Sequence, residues 1–216
     1  MTTLPTTLRA QKAALRKAIR ATLRTLPSSS IDDQSRAVAA HVISSPFFGR
    51  SRMLNCYLSM PVGELKTYSL ISSILKSDKV LFVPTIESME GQMDFVRLYD
   101  EDDLSSLPSG MWDIKEPGVE WKGEKRTSAL DADCESLDLV LLPGLAFDLG
   151  LSRLGHGKGF YDRFIQRYIS SGRPRPLLVG LALREQLLET GQIPTEETDW
   201  KMDLVVTPDG VIGGVE

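Results

Sequence analysis

Residues 153–162 read RLGHGKGFYD and combine three alternating glycines with several charged side chains. Glycines at this spacing let backbone N–H groups approach an anion, and a helix that begins directly after them directs its positive end to the same point. A helix terminus contributes only about 0.3–1 kcal/mol at an exposed site, so Arg153 and Lys158 would have to supply further positive charge. The segment therefore predicts a binding site for phosphate groups.

The spacing of this segment differs from that of the common nucleotide-binding motifs. Neither Ser nor Thr follows Lys158, which excludes a Walker A loop, and the order of the glycines is not that of a dinucleotide-binding fold. Alternating glycines also fit a tight strand-to-helix turn with Lys158 exposed to solvent. Asp162 is open to two interpretations as well: a first-turn acid that stabilises the helix dipole, or a carboxylate that binds magnesium beside phosphate.

The N-terminal region carries a second set of cations on a predicted helix. The first 31 residues contain six Lys or Arg and no Asp or Glu. Apolar residues recur there at helical spacing, with a basic stripe beside them. The apolar positions are Leu8, Leu15, Ile19, Leu23 and Leu26, and the basic positions are Arg9, Lys12, Arg16, Arg20 and Arg24. The pattern fits a core-packing helix with a basic flank, and its composition also fits a mitochondrial transit peptide.

The elements that must position these residues are indicated by short apolar runs, typical of buried strands, that begin at residue 53. The runs are MLNCYLSM (53–60), VLFVPTI (80–86), LDLVLLPG (137–144), PLLVGLAL (176–183) and LVVTP (204–208). Helical patterns over residues 64–76 and 159–169 alternate with them. This alternation predicts an α/β fold with a mixed, mainly parallel sheet and helices on both faces, a Rossmann-like three-layer sandwich.

The remaining segments complete a single predicted domain over residues 1–216. Two N-terminal helices lie within residues 6–45, the second opened by an N-cap pair of Ser30 and Asp33, and the α/β core spans residues 53–210. Three further features belong to this prediction: an antiparallel strand over residues 93–99 after a turn at Gly91 and Gln92, long loops over residues 100–133, and two tryptophans in those loops, Trp112 and Trp121.

Composition limits the classes of function that remain. A net charge of -4, with 25% charged residues, gives no electrostatic argument for nucleic acid or an anionic membrane as partner. No apolar stretch reaches the roughly 20 residues that a membrane helix needs. The two cysteines are far apart, and Cys56 lies in an apolar run where a reduced, buried thiol is expected. We therefore expect a soluble cytoplasmic protein that binds neither nucleic acid nor membrane. A monomer is a separate expectation, which composition does not decide.

Four segments resemble one known family in the expected order along the chain. PGLAFDLGLSRLGHGKGFYDRF (143–164) looks like the signature of the 5-formyltetrahydrofolate cyclo-ligases, also called methenyltetrahydrofolate synthetases. KAALR (12–16), YLSMPVGELKT (57–67) and TDWKMDLVVTPDG (198–210) resemble further blocks of that family. The resemblance implies conversion of 5-formyltetrahydrofolate, with or without a polyglutamate tail, to 5,10-methenyltetrahydrofolate. The implied reaction consumes ATP and requires Mg²⁺. The formyl oxygen is phosphorylated, and ADP and phosphate are released.

The resemblance also implies roles for individual residues. The ATP-binding set is Lys12, Arg16, Arg153, Leu154, Gly155, His156, Gly157, Lys158, Gly159, Phe160 and Tyr161. The folate pocket is lined by Leu58, Glu64, Trp112 and Tyr161, and magnesium is held by Asp162 and Asp199. Lys158, Arg153 and Tyr161 are implied to be catalytic.

Two departures from the family pattern affect these assignments, and two other functions compete with them. Phe160 stands where the family often has Tyr, and residues 61–63 form a slightly longer link before Glu64. His156 receives no general-base role, because the sequence shows no group to orient it. From the residues alone, a nucleotide-sensing module or a relative of sugar-phosphate isomerases and acyl-CoA transferases also fits.

Overall fold

The structure is a computed structural model that describes residues 7–86, 92–110 and 114–214. Its helices are α1 (Leu8–Arg24), α2 (Ser28–Ser44), α3 (Pro46–Arg50), α4 (Tyr68–Leu75), α5 (Glu101–Ser106) and α6 (Phe160–Ser170). Its first strands are β1 (Met53–Cys56), β2 (Val80–Ile86), β3 (Met93–Leu98), β4 (Glu120–Trp121), β5 (Glu124–Lys125) and β6 (Leu139–Leu142). The others are β7 (Ala146–Asp148), β8 (Arg153–Leu154), β9 (Leu177–Leu181), β10 (Leu187–Leu188), β11 (Leu204–Thr207) and β12 (Gly210–Ile212).

Seven strands form the main sheet in the order β12-β11-β9-β6-β1-β2-β3. The five inner strands are parallel to their neighbours, with Leu54 of β1 paired to Leu139 on one side and to Leu81 on the other. The two outer strands, β3 and β12, are antiparallel. The predicted mixed, mainly parallel sheet is confirmed, including the antiparallel strand β3.

Side chains alternate between the two faces of the sheet and divide the core in two. In β6, Leu139 and Leu141 pack in a core cluster with α1, α2, α3 and α4, whereas Val140 and Leu142 pack in a second cluster with α6. Strands buried on both faces read as continuous apolar runs for this reason. The three-layer arrangement is thus confirmed. Cys56 lies in the first cluster as a free, buried thiol, as predicted.

Two predicted helix starts are wrong. Helix α4 begins at Tyr68 rather than at residue 64, because the preceding segment is held as a loop: Gly63 has φ +74°, and the Thr67 hydroxyl donates to the carbonyl of Tyr57 at 2.7 Å. Helix α2 begins at Ser28, directly after Pro27, so Ser30 lies inside its first turn instead of capping it.

Residues 100–133 are predicted as long loops, and among the described residues of this region three short regular elements interrupt them. Helix α5 lies there, capped by the Asp100 carboxylate, which accepts from the N–H of Asp103 at 2.7 Å, and strands β4 and β5 form a small antiparallel sheet. Arg126 and Asp103, both almost fully buried, form an ion pair with two hydrogen bonds of 2.5 and 2.6 Å. Helix α5 buries the polar Asp103, and β4 and β5 are two-residue strands that are not buried, so hydrophobic periodicity does not reveal these elements.

Candidate active site

Helix α1 places its basic stripe against the glycine-rich segment. Thr7 caps the helix, and Ile19 and Leu23 on its apolar face are buried in the core. On the neighbouring face, Arg16 donates from Nε to the carbonyl of Gly155 at 2.9 Å, and Arg20 donates to the carbonyl of His156 at 3.3 Å. The amphipathic pattern therefore belongs to a helix whose apolar face packs on the core and whose basic face binds the glycine-rich segment.

The segment leaves strand β8 and enters helix α6 through two glycines with left-handed backbone conformations. Gly157 has φ +106°, and a Cβ atom there would lie 3.4 Å from the Arg16 guanidinium carbon. Gly159 has φ +65° and stands at the N-cap position of α6. The positive end of α6 therefore faces the loop, as the phosphate-site prediction requires.

Arg153 connects this loop to the first turn of α6. Its guanidinium donates to Asp162 Oδ1 at 2.8 Å and to the carbonyl of Pro143 at 3.4 Å, and it lies over the ring of Tyr161, 5.7 Å from the centroid. The Arg153 side chain is 5% exposed, and its buried Nε has no hydrogen-bond partner among the described residues. Burial and the nearby carboxylate of Glu64 raise the pKa of the Tyr161 hydroxyl well above its ordinary value, so this phenol stays protonated.

Lys12 joins the N-terminal helix to the segment before β11. Its Nζ donates to Asp199 Oδ2 at 2.6 Å and to Glu196 Oε1 at 3.0 Å. Burial alone would lower the pKa of Lys12, but the bonds to the two carboxylates outweigh it and raise the pKa. The N–H of Trp200, next to Asp199, donates to Asp162 Oδ1 at 3.2 Å. The two acids implied to bind magnesium are thereby brought to the same region.

A cavity of about 400 Å³ opens between the glycine loop and the segment after β1. Glu64 on its wall is 6% exposed, and its Oε2 accepts from the N–H of Met60 at 2.8 Å. Its other oxygen, Oε1, lies 3.8 Å from Nε2 of His156. Burial and the Glu64 carboxylate also raise the pKa of Tyr57, which lines the same cavity. One buried carboxylate thus lies among two protonated phenols and an imidazole.

Most of the residues singled out in the sequence meet at this cavity. Those on its wall are Leu58, Glu64, Arg153, Gly155, His156, Lys158, Gly159, Phe160, Tyr161 and Asp162. The structure does not place the others on the cavity wall: they are Lys12, Arg16, Leu154, Gly157 and Asp199, of which Arg16 contacts the wall residue Gly155 and Lys12 contacts Asp199. Trp112 lies outside the described residues.

Sequence reasoning missed several residues of the site. The wall also includes Arg20, Tyr57, Met60, Ile114 and Lys115, and Glu196 shares Lys12 with Asp199. Arg20 had a signal, because it continues the i, i+4 stripe of Lys12 and Arg16. No sequence signal marked Glu196, since it is one of several acids in an exposed loop.

Comparison with known proteins decides the family. The model of the 5-formyltetrahydrofolate cyclo-ligase family matches residues 8–208, nearly the whole described chain. The chain belongs to this family. Its members close 5-formyltetrahydrofolate to 5,10-methenyltetrahydrofolate in an ATP-dependent reaction, so the protein is an enzyme, a ligase of folate metabolism. A nucleotide sensor without turnover and an isomerase or transferase relative are thereby excluded.

Individual relatives agree with this assignment over most of their length. The mouse 5-formyltetrahydrofolate cyclo-ligase is 34% identical over 203 residues, which cover 94% of this chain and 96% of the mouse protein. The mitochondrial 5-formyltetrahydrofolate cyclo-ligase of Arabidopsis thaliana is also 34% identical, covering 94% of this chain and 76% of that protein. The NMR structure of Aquifex aeolicus 5,10-methenyltetrahydrofolate synthetase superimposes with a TM-score of 0.74 at 29% identity, covering 95% of each chain.

Proposed function

We propose that the cavity between the glycine loop and residues 57–64 is where 5-formyltetrahydrofolate meets ATP. The observation that carries the proposal is that both sets of implied ligands border one cavity of about 400 Å³: Lys158 and Arg153 on the phosphate side, and Leu58 and Glu64 on the folate side. An ATP phosphate group bound on one side would therefore lie next to the folate bound on the other side.

The chemistry requires an activated formyl oxygen, since the oxygen of a formamide is a poor leaving group. That oxygen attacks the terminal phosphate of ATP and ADP departs; N10 then closes on the formyl carbon and phosphate is released. The protein contributes positioning and positive charge, its usual part in phosphoryl transfer. Lys158 and Arg153 supply the charge, and the protonated hydroxyl of Tyr161 is a donor for the substrate.

Asp162 and Asp199 are the residues that we propose to hold Mg²⁺. No cluster of three or more His, Cys, Asp or Glu that could hold a metal occurs within residues 7–86, 92–110 and 114–214. Two carboxylates nevertheless fit magnesium, which keeps several waters and takes most other ligands from phosphate oxygens. When bound with ATP, the ion neutralises phosphate charge. Both carboxylates are paired with cations, Asp162 with Arg153 and Asp199 with Lys12, so the aspartates are held in place beforehand.

The proposal is tested by mixing the purified protein with 5-formyltetrahydrofolate and MgATP while the absorbance of the methenyl product is followed. We expect Lys158→Ala to lower the rate about 10²–10³-fold, by analogy with the loss of one donor to transition-state charge. Lys125→Ala, an exposed lysine of β5, is the matched control. An unchanged rate in Lys158→Ala at saturating ATP would sink the assignment of that residue.

The magnesium site has its own test. We expect Asp162→Asn to raise the magnesium concentration needed for half-maximal rate, because the variant keeps the shape of the side chain but loses the charge that attracts the ion. Superimposable magnesium titrations of the variant and the parent protein would count against Asp162 as a ligand.

We further propose that the protein acts as a cytoplasmic monomer and binds neither nucleic acid nor membrane. Among the described residues, no helix is long and apolar enough to cross a membrane. The basic stripe of α1 has partners inside the fold, Asp199 for Lys12 and a loop carbonyl for Arg16, which favours a structural use over targeting. Arg20 and Lys115 line the cavity and could receive the carboxylates of a polyglutamate tail. Light scattering and the KM of polyglutamylated substrate test these two points.

A further inference from the structure

Glu64 is a buried carboxylate that the fold leaves partly unpaired. Its side chain is 7% exposed, and its Oε2 accepts from the N–H of Met60 at 2.8 Å. Its Oε1 accepts no hydrogen bond in the described part of the chain, since Nε2 of His156, at 3.8 Å, is too far away. An ionised carboxylate can accept about four hydrogen bonds, and its burial is unfavourable unless a partner compensates the charge. Because Glu64 lines the cavity, a ligand can be that partner.

The two phenols of the cavity respond to the charge of Glu64 without neutralising it. Burial and the Glu64 carboxylate raise the pKa of the Tyr57 hydroxyl and of the Tyr161 hydroxyl. The Tyr57 hydroxyl donates to the carbonyl of Leu65 at 3.3 Å, so it is not a partner for the carboxylate. The negative charge of Glu64 is therefore still available to a ligand.

The other charges on the cavity wall suit a phosphate rather than a cation. Asp162 is already paired with Arg153 at 2.8 Å. Glu116 accepts from the N–H of Ile86 at 2.6 Å. Four side chains of the wall are cationic: Arg20, Lys115, Arg153 and Lys158. Among the described wall residues, Glu64 is thus the carboxylate best able to compensate a positive charge on the ligand.

Glu64 also lies where the two reactants must meet. It comes from the loop after β1, on the folate side, and its Oε1 faces His156 of the glycine loop, on the phosphate side. The formyl carbon must lie at this junction, because its oxygen receives the phosphate of ATP.

We propose that the Glu64 carboxylate is a catalytic group that stabilises the positive charge of the reacting N5–C–N10 unit. The inference rests on the proposed function, since it needs folate in this cavity. The formamide of the substrate is neutral, whereas the methenyl product carries a positive charge shared by N5 and N10. A group that interacts more strongly with the charged state than with the neutral one lowers the barrier between them.

The positive charge develops in two stages. Attack of the formyl oxygen on the terminal phosphate forms an O–P bond, breaks the bond from that phosphate to ADP, and leaves a positive charge on N5 and the formyl carbon. N10 then forms a bond to this carbon, and its proton passes to the phosphate, which departs with the C–O electron pair. The products are the methenyl cation and hydrogen phosphate. Glu64 acts through its charge in both stages and takes no proton.

The test compares a neutral and a cationic ligand in Glu64→Gln, which keeps the shape of the side chain and an oxygen for the N–H of Met60. Protein fluorescence, read immediately after mixing without ATP, gives the Kd of 5-formyltetrahydrofolate and of 5,10-methenyltetrahydrofolate. We expect the Kd of the cation to rise at least about tenfold, the lower end of the effect of an opposite charge about 4–6 Å away, and that of the neutral substrate to change less than about threefold. The kcat of methenyl formation should fall about 10²–10³-fold. Glu124→Gln, an exposed acid of β5, is the matched control and should change neither Kd.

A purely structural role of Glu64 would weaken both ligands alike. An equal loss of affinity for the two ligands, or an unchanged affinity for the cation, would overturn the proposal. The parent protein gives a second measurement that does not depend on the folding of a variant: it should bind the methenyl cation at least as tightly as the neutral substrate, despite the four cationic side chains of the wall. Weaker binding of the cation by the parent protein would contradict the proposal as well. Failure of the proposed function is distinct, because the parent protein would then bind neither ligand and form no methenyl product with ATP.

Discussion

Lys12 offers the sharpest test of how the N-terminal helix is joined to the site. Its ammonium donates to Asp199 at 2.6 Å and to Glu196 at 3.0 Å, from a side chain that is 10% exposed. Replacing it by Met keeps the apolar stem buried and removes both bonds. Because Lys12→Met leaves the packing of α1 almost unchanged, the change in stability reports the two ionic contacts.

The magnitude follows from the exposure of the two partners. Asp199 is 25% exposed, and a hydrogen bond to a charged group at such a site contributes about 1.5–3 kcal/mol. Glu196 is 52% exposed, so its pair contributes less than about 1 kcal/mol. We expect Lys12→Met to lower the free energy of unfolding by about 2–3 kcal/mol. For a chain of this size that corresponds to a fall in Tm of about 4–12 °C.

Urea denaturation followed by circular dichroism measures this loss, and Lys17→Met is the control, since Lys17 lies on the same helix and is exposed. The same preparation is assayed for methenyl formation at saturating and limiting ATP. A free energy of unfolding equal to that of Lys17→Met would refute the reasoning, because it would mean that the Lys12 contacts contribute nothing net to the fold.

Three further predictions concern stability. The pKa of Lys12 is raised in the folded state, so its contribution to the free energy of unfolding is fully present below the unfolded pKa of about 10.4 and is lost as pH rises through the higher folded pKa. In urea titrations, the difference in stability between the parent protein and Lys12→Met should therefore shrink above pH ~10.5. Arg126→Met should lower the free energy of unfolding by about 3–5 kcal/mol in urea titrations, since it strands the buried carboxylate of Asp103. Gly180→Ala should cost about 1–3 kcal/mol in the same assay, because the added Cβ would lie 2.3 Å from the ring of Phe147.

The core of the fold was predictable because its strands are buried on both faces. The apolar run at residues 80–86 coincides with β2, and the runs near residues 139, 177 and 204 contain β6, β9 and β11. Where the predicted secondary structure differs from the observed one, tertiary contacts determine the conformation of the segment. The loop at 57–67 is fixed by side-chain bonds to backbone, and residues 100–133 are organised around a buried ion pair. Neither the side-chain bonds to backbone nor the buried ion pair produces a periodic pattern of apolar residues in the sequence.

The site was predictable in part, for a similar reason. The proposed phosphate side lies on one continuous segment, 153–162, whose glycines and cations are visible in the sequence. Its other parts come from distant positions: the His156–Glu64 pair and the contact of Lys12 with Glu196 depend on how loops pass one another in space. Residue types alone could not show that His156 has a carboxylate beside it.

The contacts between α1 and the glycine loop explain how an exposed turn would form the anion site that we propose. In a trans peptide the C=O and the following N–H point in opposite directions. Arg16 and Arg20 hold the carbonyls of Gly155 and His156 toward α1, so the N–H groups of His156 and Gly157 point away from the helix. Neither N–H donates to an acceptor in the described part of the chain. Successive free N–H groups form an anion-binding nest. Two arginines one helical turn apart therefore fix the orientation of two successive N–H donors in the glycine loop, and the proposed phosphate site would depend on the docking of α1.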